Sequence, residues 1–222
     1  MKYPWYLLPL CFLMTSCFDY AVNVAFEPDG SCTVETHLDM LEPIYQEAVR
    51  TLPALSENPL PLEEAAYRDW VQGRGGRLDS YQRVVSEGRI QMNFKIWYPN
   101  YAAFHSDDMF GETQLQLQGD RWVWVWDPGP MVRSLADLDE PNLEQQLSQL
   151  KPLLQGLHFS MQLSAPQVVE TNLDQKDNAV RFHYDYASLL GKKTGKDQLS
   201  AFRALLVEKR VVFTTPKATT SK

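Results

Sequence analysis

The sequence predicts an α+β domain, an antiparallel sheet of successive β-hairpins with helices packed on one face. Three observations carry this expectation. From Cys17 onward apolar and polar residues alternate with a spacing of two, the pattern of strands that bury one face. Turn-forming residues interrupt these runs at hairpin spacing. Between hairpins the apolar spacing changes to three and four residues, as on an amphipathic helix.

Tyr20 to Phe26 and Cys32 to Met40 flank Glu27-Pro28-Asp29-Gly30. Proline fixes φ there and glycine admits positive values, so the first element reads as a hairpin. Ile44, Ala48, Leu52 and Leu55 make a helical stripe within 42–55, and Ala66, Trp70 and Val71 make another within 62–71. Pro59 and Pro61 separate the two. Gly73, Gly75 and Gly76 follow a helix and precede a strand, the reverse of a phosphate cradle, and read as a helix stop. Leu78 to Ser86 and Arg89 to Tyr98 form a second hairpin across Glu87-Gly88, and 113–118 with 121–127 form a third across Gly119-Asp120. Leu143, Leu147, Leu150 and Leu154 predict a helix over 142–155. Leu157 to Leu163 pairs with Ala179 to Tyr184, and the chain closes with helical segments over 187–190 and 199–206 and a strand over 211–214.

The first seventeen residues fix an address. Lys2 precedes an apolar run of Tyr3 to Met14, then small residues at Thr15 and Ser16, then Cys17. That order is expected of an exported, cleaved segment, and the run falls short of the about 20 residues a membrane span needs. Met14-Thr15-Ser16-Cys17 resembles a bacterial lipobox, in which the cysteine thiol takes a diacylglyceryl group and becomes the acylated first residue; ordinary signal cleavage and an uncleaved anchor are the alternatives. The expected organisation is a lipoprotein signal peptide over 1–16, one extracytoplasmic domain over 17–215 and a disordered tail over 216–222. Two acyl chains would hold the protein to a bilayer without basic residues. Loss of Lys2 takes the formal charge one further below −7, and the chain has no cluster of five or more Lys and Arg, which argues against nucleic acid as a partner. With Cys11 removed and Cys17 acylated, only Cys32 remains, so no intramolecular disulfide forms and Cys32 reads as a buried thiol.

Trp122, Trp124 and Trp126 alternate with Val123 and Val125, which sets three indoles on one face of a strand. They either fill a core or, with Phe94 and Ile96, wall an apolar cavity for a lipid or other amphiphile. His105-Ser106-Asp107-Asp108 lacks the spacing of zinc or calcium sites and reads as a helix cap. His37, His158 and His183 fall on strands with no nucleophile elbow, metalloprotease or phosphate-loop motif beside them. No catalytic residue, metal or cofactor is therefore expected.

Cys17-Phe18-Asp19-Tyr20 runs into Val22-Asn23-Val24-Ala25-Phe26 and Pro28-Asp29-Gly30-Ser31. Later, Phe159-Ser160-Met161-Gln162-Leu163 is followed by Pro166, Val168-Val169, Thr171-Asn172 and Asn178-Ala179-Val180. Together these patches resemble bacterial lipoproteins of the LppM-type domain family. The resemblance implies an envelope-facing α+β module with an amphiphile-binding cavity and no catalytic residues. The expected role is non-catalytic binding of an envelope lipid or other amphiphile. Two rivals stand beside it, an envelope protein-interaction module without a pocket and an envelope hydrolase.

Overall fold

The computed structural model describes residues 18–43, 45–46, 63–104, 107–108, 111–127, 145, 156–185, 197, 200–201, 203–204 and 207–215. All of the expected helix over 142–155 but Gln145, most of that over 42–55, half of that over 199–206 and the whole segment 187–190 lie outside these residues, as do the leader with Cys17 and the tail.

β1 (Phe18–Phe26) and β2 (Cys32–Leu41) pair antiparallel across the expected turn, in which Asp29 accepts hydrogen bonds from the Ser31 amide and hydroxyl at 2.9 and 2.7 Å. Helix α1 (Glu64–Gly73) follows and stops at the glycines, with the amides of Gly75 and Gly76 donating to Gln72 and Val71. β3 (Arg77–Ser86) and β4 (Arg89–Tyr98) form the second hairpin. Its two-residue turn has positive φ at both Glu87 and Gly88, the geometry whose twist matches the flanking strands. Beyond a 3₁₀ turn at Tyr101–Ala103 come β5 (Asp107–Asp108), β6 (Gly111–Gln118) and β7 (Arg121–Asp127), then β8 (Leu157–Ser164), β9 (Gln167–Thr171), β10 (Asp174–Lys176), β11 (Ala179–Asp185) and β12 (Lys209–Thr214).

The strands make two sheets, one of seven in the order β10-β11-β8-β1-β2-β4-β3 and one of five in the order β5-β6-β7-β12-β9. This overturns the expected layering of one antiparallel sheet with helices on one face. The described residues are mostly β, the larger sheet is mixed because β1 and β8 run parallel, and among the described residues α1 packs beside β3 and β4 rather than in a helical layer. The cause lies in the alternation itself. β1 buries Phe18, Tyr20, Val22, Val24 and Phe26, and the register carries the same parity through Thr36 of β2, Phe94 of β4, Met161 of β8 and Phe182 of β11. So broad an apolar face needs a second layer, and the tryptophan face of β7 provides it. Phe26 stacks on Phe213 of β12 with ring centroids 4.7 Å apart, and Trp126 meets Phe182 at 5.5 Å. Val123 and Val212, paired on the opposite face of the smaller sheet, are buried as well. Among the described residues no helix is long and apolar enough to cross a membrane.

Candidate functional site

Where β1 ends and β2 begins, the two sheets meet at one pole of the domain. The β1–β2 turn, the 3₁₀ turn, the β6–β7 turn and the ends of β9 and β12 surround an open cleft of about 940 Å³ there. Asn100 opens the 3₁₀ turn by accepting the Ala103 amide at 2.9 Å, which fixes Tyr101 behind it. The Tyr101 ring stands edge-on to Trp122 at 5.2 Å and to Phe26 at 5.2 Å, and its hydroxyl donates to the backbone carbonyl of Glu27. Burial, followed by the acidic neighbours Cys32, Asp29 and Glu27, pushes the Tyr101 phenol up to about 12. It stays protonated and keeps its donor role at neutral pH.

Trp122 and Tyr101 form the apolar wall, joined by Leu117, which is 58% exposed. The polar rim comes from Asn100, Gln167 and Thr214, the last donating its hydroxyl to the Gln167 side-chain oxygen Oε1 at 3.1 Å. Asp29 and Asp120 also reach the rim, Asp120 with the Arg121 guanidinium 4.0 Å away, and among the described residues no Lys or Arg lines the cleft. The Ser31 hydroxyl and amide hold the Asp29 carboxyl below its usual range, so it is an anion. An aromatic wall with an anionic rim suits an apolar group attached to a neutral or cationic head and repels phosphate.

No family model and no curated protein matches the chain significantly. Among solved structures the chain is similar to the folded domain of the LppM protein of Mycobacterium tuberculosis, determined by NMR. The identity is 11%, the match covers 92% of this chain and 94% of that one, and the TM-score is 0.49.

The five aromatic and apolar residues singled out in the sequence do not converge on one site. Trp122 is half-buried and lines the cleft. Trp124 and Trp126 lie between the sheets, 0% and 3% exposed. Phe94 packs on Tyr67 of α1 at 4.7 Å between ring centroids, and Ile96 lies beside Gly76. Cys32 is buried, and burial raises its thiol pKa far above neutrality. Asp107 and Asp108 run as the short strand β5 in place of a helix cap, while His105 and Ser106 lie outside the described residues.

His37, His158 and His183 share the outward face of the seven-stranded sheet. His37 Nδ1 is 2.7 Å from Asn93 Oδ1. His183 shares its cross-strand row with His37 but lies three strands away, roughly 14 Å at ordinary strand spacing. His183 is the register partner of Ser160, and no hydrogen bond joins their side chains among the described residues. Also among the described residues, no group of three His, Cys, Asp or Glu could hold a metal ion.

Tyr101, Leu117, Gln167 and Thr214 escaped sequence reasoning because four separate segments bring them together. The available cue was Pro99-Asn100 after an alternating strand, which marks a turn and so a tyrosine at a strand end.

Proposed function

We propose that the chain is a membrane-anchored bacterial lipoprotein with a non-catalytic role on the extracytoplasmic side of the cell envelope, binding an amphiphile in the open cleft. The lipobox-like Met14-Thr15-Ser16-Cys17 supports the anchor. The wall of Trp122, Tyr101 and Leu117, set under a rim with the carboxylates of Asp29 and Asp120 and, among the described lining residues, no Lys or Arg, supports the binding assignment. It favours an apolar chain or ring with an uncharged or cationic head over an anionic phospholipid. Trp124 and Trp126 then support the wall from behind, and Phe94 and Ile96 hold the sheet under α1.

Native mass spectrometry of the mature protein, released from membranes in detergent, tests this. The expected result is a bound envelope amphiphile beyond the covalent acyl mass. Trp122→Ala should lower the bound fraction about tenfold in a protein that still folds, equivalent to about 1.4 kcal/mol. A clean mass despite added envelope lipids would contradict amphiphile binding. The second reading, a docking site for an envelope protein, draws on the openness of the cleft and the exposure of Leu117 at its mouth.

A further inference from the structure

Phe18 opens β1 in the interior of the seven-stranded sheet, and its amide donates to the Gly156 carbonyl at 3.1 Å. Consecutive Cα atoms are about 3.8 Å apart, so Cys17 has no tether between it and the folded strand. An acyl anchor on Cys17 would hold this pole of the domain in the headgroup layer.

The register shows what else lies at that pole. Phe18 pairs with Met40, and Leu41 and Ser86 both pair with Arg89, which brings the end of β2 and the β3–β4 turn level with the start of β1. The Glu42 amide closes the corner by donating to the Gly88 carbonyl at 2.9 Å. Val84 and Val85, at the end of the edge strand β3, are 42% and 49% exposed. As neighbours on a strand they point to opposite faces of the sheet, so no single layer packed on one face covers both. A surface lying across the strand ends does.

We propose that this pole is a membrane seat, in which Val84 and Val85, three strands and roughly 14 Å from the start of β1, enter the interface of a zwitterionic bilayer at the same level as the acylated Cys17. The seat rests on the acylation of Cys17 proposed above. The exposed carboxylates of Glu42 and Glu87 flank it, while Arg89 is engaged by Asp39 at 2.7 Å and Arg83 by Glu63 at 2.7 Å. That balance disfavours anionic lipid. The seat also sets the height of the cleft. β1 has nine residues and ends at the cleft, so at about 3.3 Å per residue the cleft stands roughly 30 Å from the bilayer. Its amphiphile therefore arrives from solution or from an opposing surface, not from the leaflet that holds the anchor.

The test places environment-sensitive maleimide probes on full-length acylated protein in zwitterionic vesicles carrying a nitroxide-labelled lipid. Val85→Cys and Ser86→Cys report on the seat and Asp120→Cys on the cleft pole, while Cys32, fully buried, stays unlabelled. Quenching several-fold stronger at the two seat positions than at Asp120→Cys is expected, with the difference shrinking as anionic lipid is added. Equal quenching at both poles in protein that floats with the vesicles overturns the seat and leaves the anchor standing. Protein that fails to float overturns the anchor and the seat with it.

Discussion

Trp124→Ala is expected to destabilise the fold by about 3 to 5 kcal/mol, the range for removing a buried aromatic and leaving a cavity. Trp124 is fully buried on β7, between Leu115 of β6 and Val211 of β12, where the two sheets face each other. A domain with 5 to 15 kcal/mol in total, the usual range, would lose a large part of its stability. The indole adds a feature that sharpens the test. Trp124 Nε1 is buried and has no hydrogen-bond partner among the described residues. An unsatisfied buried donor costs about 1 to 3 kcal/mol, so Trp124→Phe, which deletes the donor and keeps most of the ring, should be far milder than Trp124→Ala. Urea denaturation of both variants reads the difference. Equal stability of Trp124→Ala and the parent would show that β7 does not close the core.

Gly76→Val is the second large effect, a loss of about 1 to 3 kcal/mol or more from overpacking. A Cβ at this position would stand 2.9 Å from Tyr98 Cε1, 3.0 Å from Val71 Cγ1 and 3.1 Å from Ile96 Cγ2. Each of those atoms belongs to a buried side chain on α1 or β4, so none can step aside without disturbing the core. Gly73 provides the internal control. It closes α1 with nothing within 4 Å of its missing Cβ, and Gly73→Ala should be neutral or stabilise by about 0.4 to 1 kcal/mol. Thermal melts of the two variants separate a glycine kept for close approach from one kept only at a helix end. If Gly76→Val melts with the parent, α1 does not rest on β4 as described.

Local structure was legible wherever the signal was local. The alternation in β1, β2, β4 and β7, the turns at Gly30, Gly88 and Gly119 and the glycine stop after α1 all stand where spacing and turn chemistry put them. Pairing between distant strands was not legible. Alternation tells which residues of β1 share a face, yet it is silent on whether the free edge of β1 takes a parallel or an antiparallel neighbour, and β8 takes it in parallel. It is equally silent on which sheet a strand joins. The tryptophan strand looked like one more hairpin arm of a single sheet, whereas its indoles form the facing layer. The short strands β5, β9 and β10 carry too few residues for a period to show.

The cleft was legible in one residue. Trp122 stood out in sequence together with Trp124 and Trp126, although a period of two cannot tell a strand end that reaches a cleft from a strand centre that fills a core. Phe94 and Ile96 share the buried face of β4, which is what alternation reports, but that part of the face lies beside α1.

The intact mass of the protein extracted from bacterial membranes tests the central claim most directly. The expected mass is that of a chain beginning at Cys17 and carrying a diacylglyceryl group, lost together with membrane association in Cys17→Ala. A membrane-associated protein that begins elsewhere, or that carries no acyl mass at Cys17, would contradict the lipoprotein assignment.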